Sequence, residues 1–185
     1  MSAEIATIKA WVAGLIVKYN VCPFARPALA ADAIRYVLAS DSSLEQVLAQ
    51  LVEECQWLDQ HPETATTLLI LPRGFADFYT YLDALDVANE LLAIEGYEGV
   101  YQLASFHPEY CFADSLATDP ANYTNRAPYP ILHLLREADV SQAVDSGDSA
   151  AIVARNIDFA QRKGSAFFVE LLAAFSAPAN NQERS

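Results

Sequence analysis

Thr66–Leu71 reads TTLLIL, a short run with apolar side chains on both of its alternating faces. A half-buried strand alternates apolar with polar residues, whereas a strand covered on both sides does not. Pro72 follows at once and lacks the N–H that would continue a ladder. The run is expected to be a central strand, so the chain must supply helices for both faces of a sheet.

The periodicity supplies them. Ile5, Ile8, Val12, Leu15 and Ile16 share one helical face, with Trp11 beside them, which predicts a helix over about Ala3–Tyr19. Asn20 suits its exit, and Pro23 prevents its continuation. Ser42 or Ser43 is placed to cap a second helix that runs to about Leu58 and breaks at His61-Pro62. A third runs from about Phe75 to Ile94 and stops at Gly96 and Gly99. Asp148 opens a further helix to about Lys163, Gly164 stops it, and Ala166–Phe175 forms an apolar terminal helix.

Ala33–Ala39 and Val100–Phe106 read as strands from their β-branched and aromatic content. Ile131–Leu135 reads as a short strand, because Asp139 and Ser141 resemble start signals for a following helix. The order predicts one α/β domain over residues 1–176, with a three- or four-stranded sheet covered by helices and a polar tail over 177–185. The alternative is an α+β, ferredoxin-like arrangement, with Ile131–Leu135 joining antiparallel.

Composition narrows the function. The chain has 185 residues, 53% of them hydrophobic, so a sizeable core is available. No run approaches the roughly 18 to 20 apolar residues of a membrane span. The N-terminal segment lacks the basic start of a signal peptide and is interrupted by Glu4 and Lys9. Cys22, Cys55 and Cys111 cannot all pair within one chain, which favours reduced thiols and a cytoplasmic setting.

The net charge of −13 argues against nucleic acid and anionic membranes as partners. From Tyr36 to Asn125 the only basic side chain is Arg73, against fifteen carboxylates. Any anion site must therefore be local. No Walker, dinucleotide, HExxH or GxSxG pattern is present, so no cofactor or bound metal is expected. A zinc set of Cys22, His107, Cys111 and His133 has no supporting ligand spacing.

The stretch Gln102–Glu137 carries two of the three histidines and for most of its length neither apolar period. Long aperiodic connections in compact domains are commonly functional, and this one is too aromatic for an ordinary linker. His107, at the end of the third strand, is placed for proton exchange. Asn122, Asn125 and Arg126 offer amide and guanidinium donors, with Arg126 suited to clamp a carboxylate or phosphate. His133 and Arg136 follow. Cys22 would act as a nucleophile beside His107 or His133.

Each has a structural counterpart: turn-forming amides, a loop-tying arginine, a satisfied core histidine, a small buried thiol. The expected pocket joins Asn20 and Cys22 to these residues around a small anionic or polar metabolite, for hydrolysis or group transfer. The rival is a non-enzymatic binding protein, with Ala166–Phe175 as a homodimer seam.

The segments Trp11-Val12, Asn20–Phe24 (NVCPF), Thr67–Pro72, Gly99–His107 (GVYQLASFH), Asn122–Arg126 (NYTNR), Pro128-Tyr129-Pro130 and Leu132–Glu137 (LHLLRE) carry a family resemblance. With them the chain resembles the bacterial domain-of-unknown-function family 1415, over nearly all its length to about Val144. The resemblance implies no particular activity. It implies a non-thiol residue at the position of Cys111, which weighs against any site that needs that thiol.

Overall fold

The computed structural model of the chain describes residues 2–145 and 149–176, arranged about a four-stranded sheet. Its strands are Ile34–Leu38 (β1), Thr66–Ile70 (β2), Tyr101–Phe106 (β3) and Ile131–Arg136 (β4), in spatial order β1-β2-β4-β3. β1 and β2 are parallel, and β4 runs antiparallel to both of its neighbours. All residues of β2 are buried, as its doubly apolar pattern predicts. The α/β class holds. The antiparallel insertion of β4 is a feature of the ferredoxin-like alternative that the sheet does contain.

Helices cover both faces. Leu44–Gln60 and Phe78–Ile94 lie on one side, where Val47, Leu51, Cys55, Leu58, Tyr81, Ala84 and Ala88 pack on Leu69, Leu71, Leu132 and Leu134. On the other side are Ala3–Trp11 (α1) and Ser149–Ser176, whose Ile8, Trp11 and Phe168, with Leu15 of the turn after α1, pack with Leu68, Ile70 and Ile131. In chain order the remaining helices are Ala25–Ala30 (α2), Leu44–Gln60 (α3), Phe78–Ile94 (α4), Glu137–Asp145 (α5) and Ser149–Ser176 (α6).

The first helix departs from the expected continuous run to Tyr19. It is α-helical to Trp11 and then widens into a π-helical turn over Val12–Val17. There the Lys18 N–H reaches the Ala13 carbonyl at 3.1 Å, and the Val21 N–H reaches that of Ile16 at 2.9 Å. Gly14 lies in this turn. A Cβ on it would sit 2.6 Å from the Phe175 ring, so its small size lets α6 approach closely.

Other boundaries move for local reasons. α4 starts at Phe78 because Asp77 caps it, accepting from the Thr80 N–H at 2.8 Å, while Phe75 is buried in the core. Ser43 occupies the cap position of α3 without a side-chain bond, and Asp41 instead accepts from the Ser42 and Ser43 N–H groups. Gly164, at φ 73°, separates the two helical stretches of α6, as its position predicts. The expected start at Asp148 and the polar tail 177–185 lie outside the described residues.

Candidate functional site

Most of the polar residues of Gln102–Glu137 are engaged in holding their own loop. His107 is fully buried against Phe78 and Tyr81 of α4. Its Nδ1 accepts from the Glu109 N–H at 3.0 Å, so Nε2 carries the proton and donates it to the Phe75 carbonyl at 3.0 Å. Burial holds its pKa below the ordinary histidine value. Both ring nitrogens are satisfied, and the imidazole ties the β3 exit to the start of α4.

Asn122 is also fully buried, accepting from the Phe112 N–H at 3.0 Å and donating to the Leu116 carbonyl at 2.8 Å. Arg126 donates to the carbonyls of Tyr110 and Ala117 at 3.0 and 2.9 Å and stacks over the Tyr123 ring. The Arg126 carbonyl in turn accepts from the Trp11 indole at 3.1 Å. Asn125 donates to the Ser105 carbonyl at 3.4 Å, and its own carbonyl accepts from the His107 N–H at 3.3 Å. The donors expected to clamp an anion are therefore directed at backbone.

Arg136 reaches from the end of β4 across to the end of α3. It donates to the carbonyls of Leu58, His61 and Thr64 at 2.8, 3.1 and 3.2 Å, and so caps α3 with a cation where the helix dipole is negative. Asn20 adopts a left-handed φ of 54°, which Asn tolerates better than most residues, and its carbonyl accepts from Arg155 at 2.6 Å. The two histidines of the stretch lie on opposite faces of the sheet. His133 packs with Phe106 on the α1 side. The polar groups do not converge on a single hollow.

A different hollow is present on the α1 side. It encloses about 640 Å³, within the ~300–1,000 Å³ usual for ligand sites. Its floor crosses all four strands, with Ile34, Leu68, His133, Ala104 and Phe106 upward. Trp11, Val12 and Ile16 form one wall, and Cys22, α2 and α5 close the others. Of the residues singled out from sequence, Cys22, His133 and Arg136 border it.

The space follows from residue size. α3 and α4 fill the opposite face with two long helices. Here part of the cover is the short α2, ARPALA, which presents Ala25 and Ala28, followed by Ala31 and Ala33. On the floor, Ala104 stands beside His133 in register, so a small side chain flanks the imidazole. The sequence does not signal α2, because six residues are too few to show a period. The signal that was legible is Ala104, alternating with Gln102 and Phe106 on one face of β3.

His133 is the one polar floor residue of β4. Neither of its ring nitrogens has a hydrogen-bond partner or touches solvent. Burial depresses its pKa to about 4, so the imidazole is neutral at ordinary pH and carries one N–H and one lone pair. Buried polar atoms are nearly always paired, and an unpaired one costs about 1–3 kcal/mol. The residue as a whole is half-buried while both nitrogens are sealed, so other atoms of His133 meet the cavity, and a half-turn about χ2, a soft torsion for imidazole, exchanges each nitrogen with a ring carbon.

Among the described residues no group of three or more His, Cys, Asp or Glu is placed to hold a metal ion, and no helix is long and apolar enough to cross a membrane. The terminal helix uses its apolar face within the chain: Phe168 is fully buried, and Phe167, Leu171 and Phe175 pack partly buried beside it.

Comparison with curated proteins finds no match, and comparison with solved structures finds none either. The family model described as "Protein of unknown function (DUF1415)" matches residues 3–170, which takes in α1, the whole sheet and most of α6. The chain belongs to the DUF1415 family.

Proposed function

We propose that this protein binds a small molecule with a largely apolar body and at least one hydrogen-bonding group, seated between the sheet and α2. The observation that carries the reading is the neutral, unpartnered His133 imidazole on the floor of a largely apolar cavity of about 640 Å³. A mostly apolar pocket with few polar groups is the usual form of a small-molecule site. A ligand hydroxyl or carbonyl supplies the partner that the protein leaves out. The π-helical turn over Val12–Val17 contributes Val12 and Ile16 to the wall, and such turns are frequent at functional sites.

Within this reading the polar metabolite expected from the sequence keeps its polar group and gains an apolar body. Cys22 and His133 border one cavity and retain the thiol–imidazole reading. His107, Asn122, Asn125, Arg126 and Arg136 then serve as the scaffold that positions the floor and its neighbouring loop.

The test is a titration of the purified protein with straight-chain alcohols from hexanol to decanol, following melting temperature and tryptophan emission. Saturable binding that raises the melting temperature is expected in the wild type and lost in Ala104→Leu, which fills the floor beside His133. Ala104→Leu should itself unfold cooperatively. Equal responses in the two proteins would place the alcohols elsewhere and end the proposal.

A further inference from the structure

A second hollow lies beside the first, at the open β1 edge of the sheet. It encloses about 380 Å³ and is lined by Lys9, Asp32, Arg35, Tyr36, Trp57 and Thr64, with Ile5 and Ile34. The two hollows share Ile34, and chain neighbours divide between them. Ala31 and Ala33 line the apolar cavity while Asp32 lines the second, and Ala65 and Thr66 line the first while Thr64 lines the second. They therefore adjoin along the same two segments of chain.

The chemistry of the second hollow is the complement of the first. Lys9 Nζ stands 5.0 Å from the centre of the Tyr36 ring, and among the described residues no carboxylate lies within ion-pair distance of it. The Tyr36 hydroxyl is buried without a hydrogen-bond partner. Burial, with the Asp32 carboxylate as a lesser cause, raises its pKa to about 12, so it remains a donor. Arg35 is already committed, bound to both Glu54 oxygens at 2.6 and 3.0 Å and lying over the Trp57 ring. The exposed Lys9 ammonium without a counter-ion and the unpartnered Tyr36 hydroxyl are the cation and the donor this hollow offers an anion. Asp32, exposed at the rim, is the one lining group that opposes a negative charge.

We infer that the two hollows hold one amphiphilic carboxylate, its apolar chain over the His133 floor and its carboxylate on Lys9 and the Tyr36 hydroxyl. The inference rests on the apolar-cavity reading above and adds to it the class of the ligand. It also meets the constraint set by the net charge of −13, since the anion is held by a local pair of donors and not by the field of the whole protein.

The two tryptophans of the chain divide between the hollows, Trp11 at the first and Trp57 at the second, so each has its own reporter. Octanoate and 1-octanol are titrated at neutral pH into the wild type, Trp57→Phe, Lys9→Gln and Asp32→Asn. Octanoate is expected to bind about tenfold tighter than octanol, which corresponds to about 1.4 kcal/mol. Lys9→Gln should remove that advantage, and Asp32→Asn should enlarge it. Octanoate should also evoke an emission change that is absent from Trp57→Phe, where only Trp11 remains. Octanol binding with octanoate no tighter, or Lys9→Gln weakening both ligands alike, would overturn the inference and leave the apolar cavity standing. Binding of neither would remove the cavity reading and this inference together.

Discussion

His133→Leu tests the energetics of the cavity floor directly. Leucine has a volume suited to the site and no polar atom to leave unpaired. Removing two unpartnered nitrogens should stabilise the protein by about 1–3 kcal/mol near neutral pH. For a chain of this length that is a rise of roughly 2–12 °C in melting temperature.

The pH dependence supplies a second, independent signature. An ordinary histidine titrates near 6.5 when unfolded, whereas folded His133 titrates near 4 because burial excludes its charged form. Between those values the unfolded chain holds a proton that the folded chain rejects, so the wild type loses stability as pH falls through the window. No contribution remains well above about pH 6.5. The full loss, reached below about pH 4, is roughly 3 kcal/mol, and about 2 kcal/mol of it falls between pH 7 and 5.

The assay is equilibrium urea unfolding of both proteins at about pH 7 and 5. His107, whose pKa is also lowered, contributes with the same sign to both proteins and cancels in the difference. The stabilisation given by leucine should therefore grow by about 2 kcal/mol at the lower pH. A difference independent of pH, or a leucine variant less stable than wild type at neutral pH, would show that the imidazole is already satisfied, and the reasoning would fail.

Gly14→Ala should lower stability by about 1 kcal/mol, because its new methyl meets the Phe175 ring, and Phe175→Leu in the same chain should restore most of the loss, as read by thermal unfolding. Arg136→Met should cost roughly 2–4 kcal/mol by uncapping α3, as read by urea unfolding. In a Cys111→Ser background, an aromatic disulfide reagent should label Cys22 and not the fully buried Cys55, whose thiol burial pushes up to about 12. Octanol should slow labelling of Cys22, which borders the cavity, and an unchanged rate would separate that thiol from the site.

The sheet was readable because its strands carry strong local signals. TTLLIL has no polar face, and the helices that cover it have clear periods and stops. The sheet order was not readable, since nothing in ILHLLR says which neighbours it pairs with. The polar loop misled for a physical reason: Asn122, Arg126 and His107 are the residue types of an anion site and also the types that satisfy a long connection's backbone. Sequence cannot show which carbonyls lie within reach. His133 was recognised, but its partnerless state depends on Ala104 and α2 leaving space, which is a property of three dimensions. Lys9 and Tyr36 carry no site signal in the sequence, because each reads as an ordinary surface or strand residue.

The placement of β4 bears on how the chain is made. Synthesis delivers β2 and β3 first, yet the strand that bonds to both comes later. A nascent chain with about 130 residues outside the ribosome carries two edges awaiting the same partner, both templates for unwanted pairing. The long tethered segment ending at Pro130 keeps the missing strand close, and its arrival closes both edges in one step. Truncation just before Ile131 should therefore yield inclusion bodies.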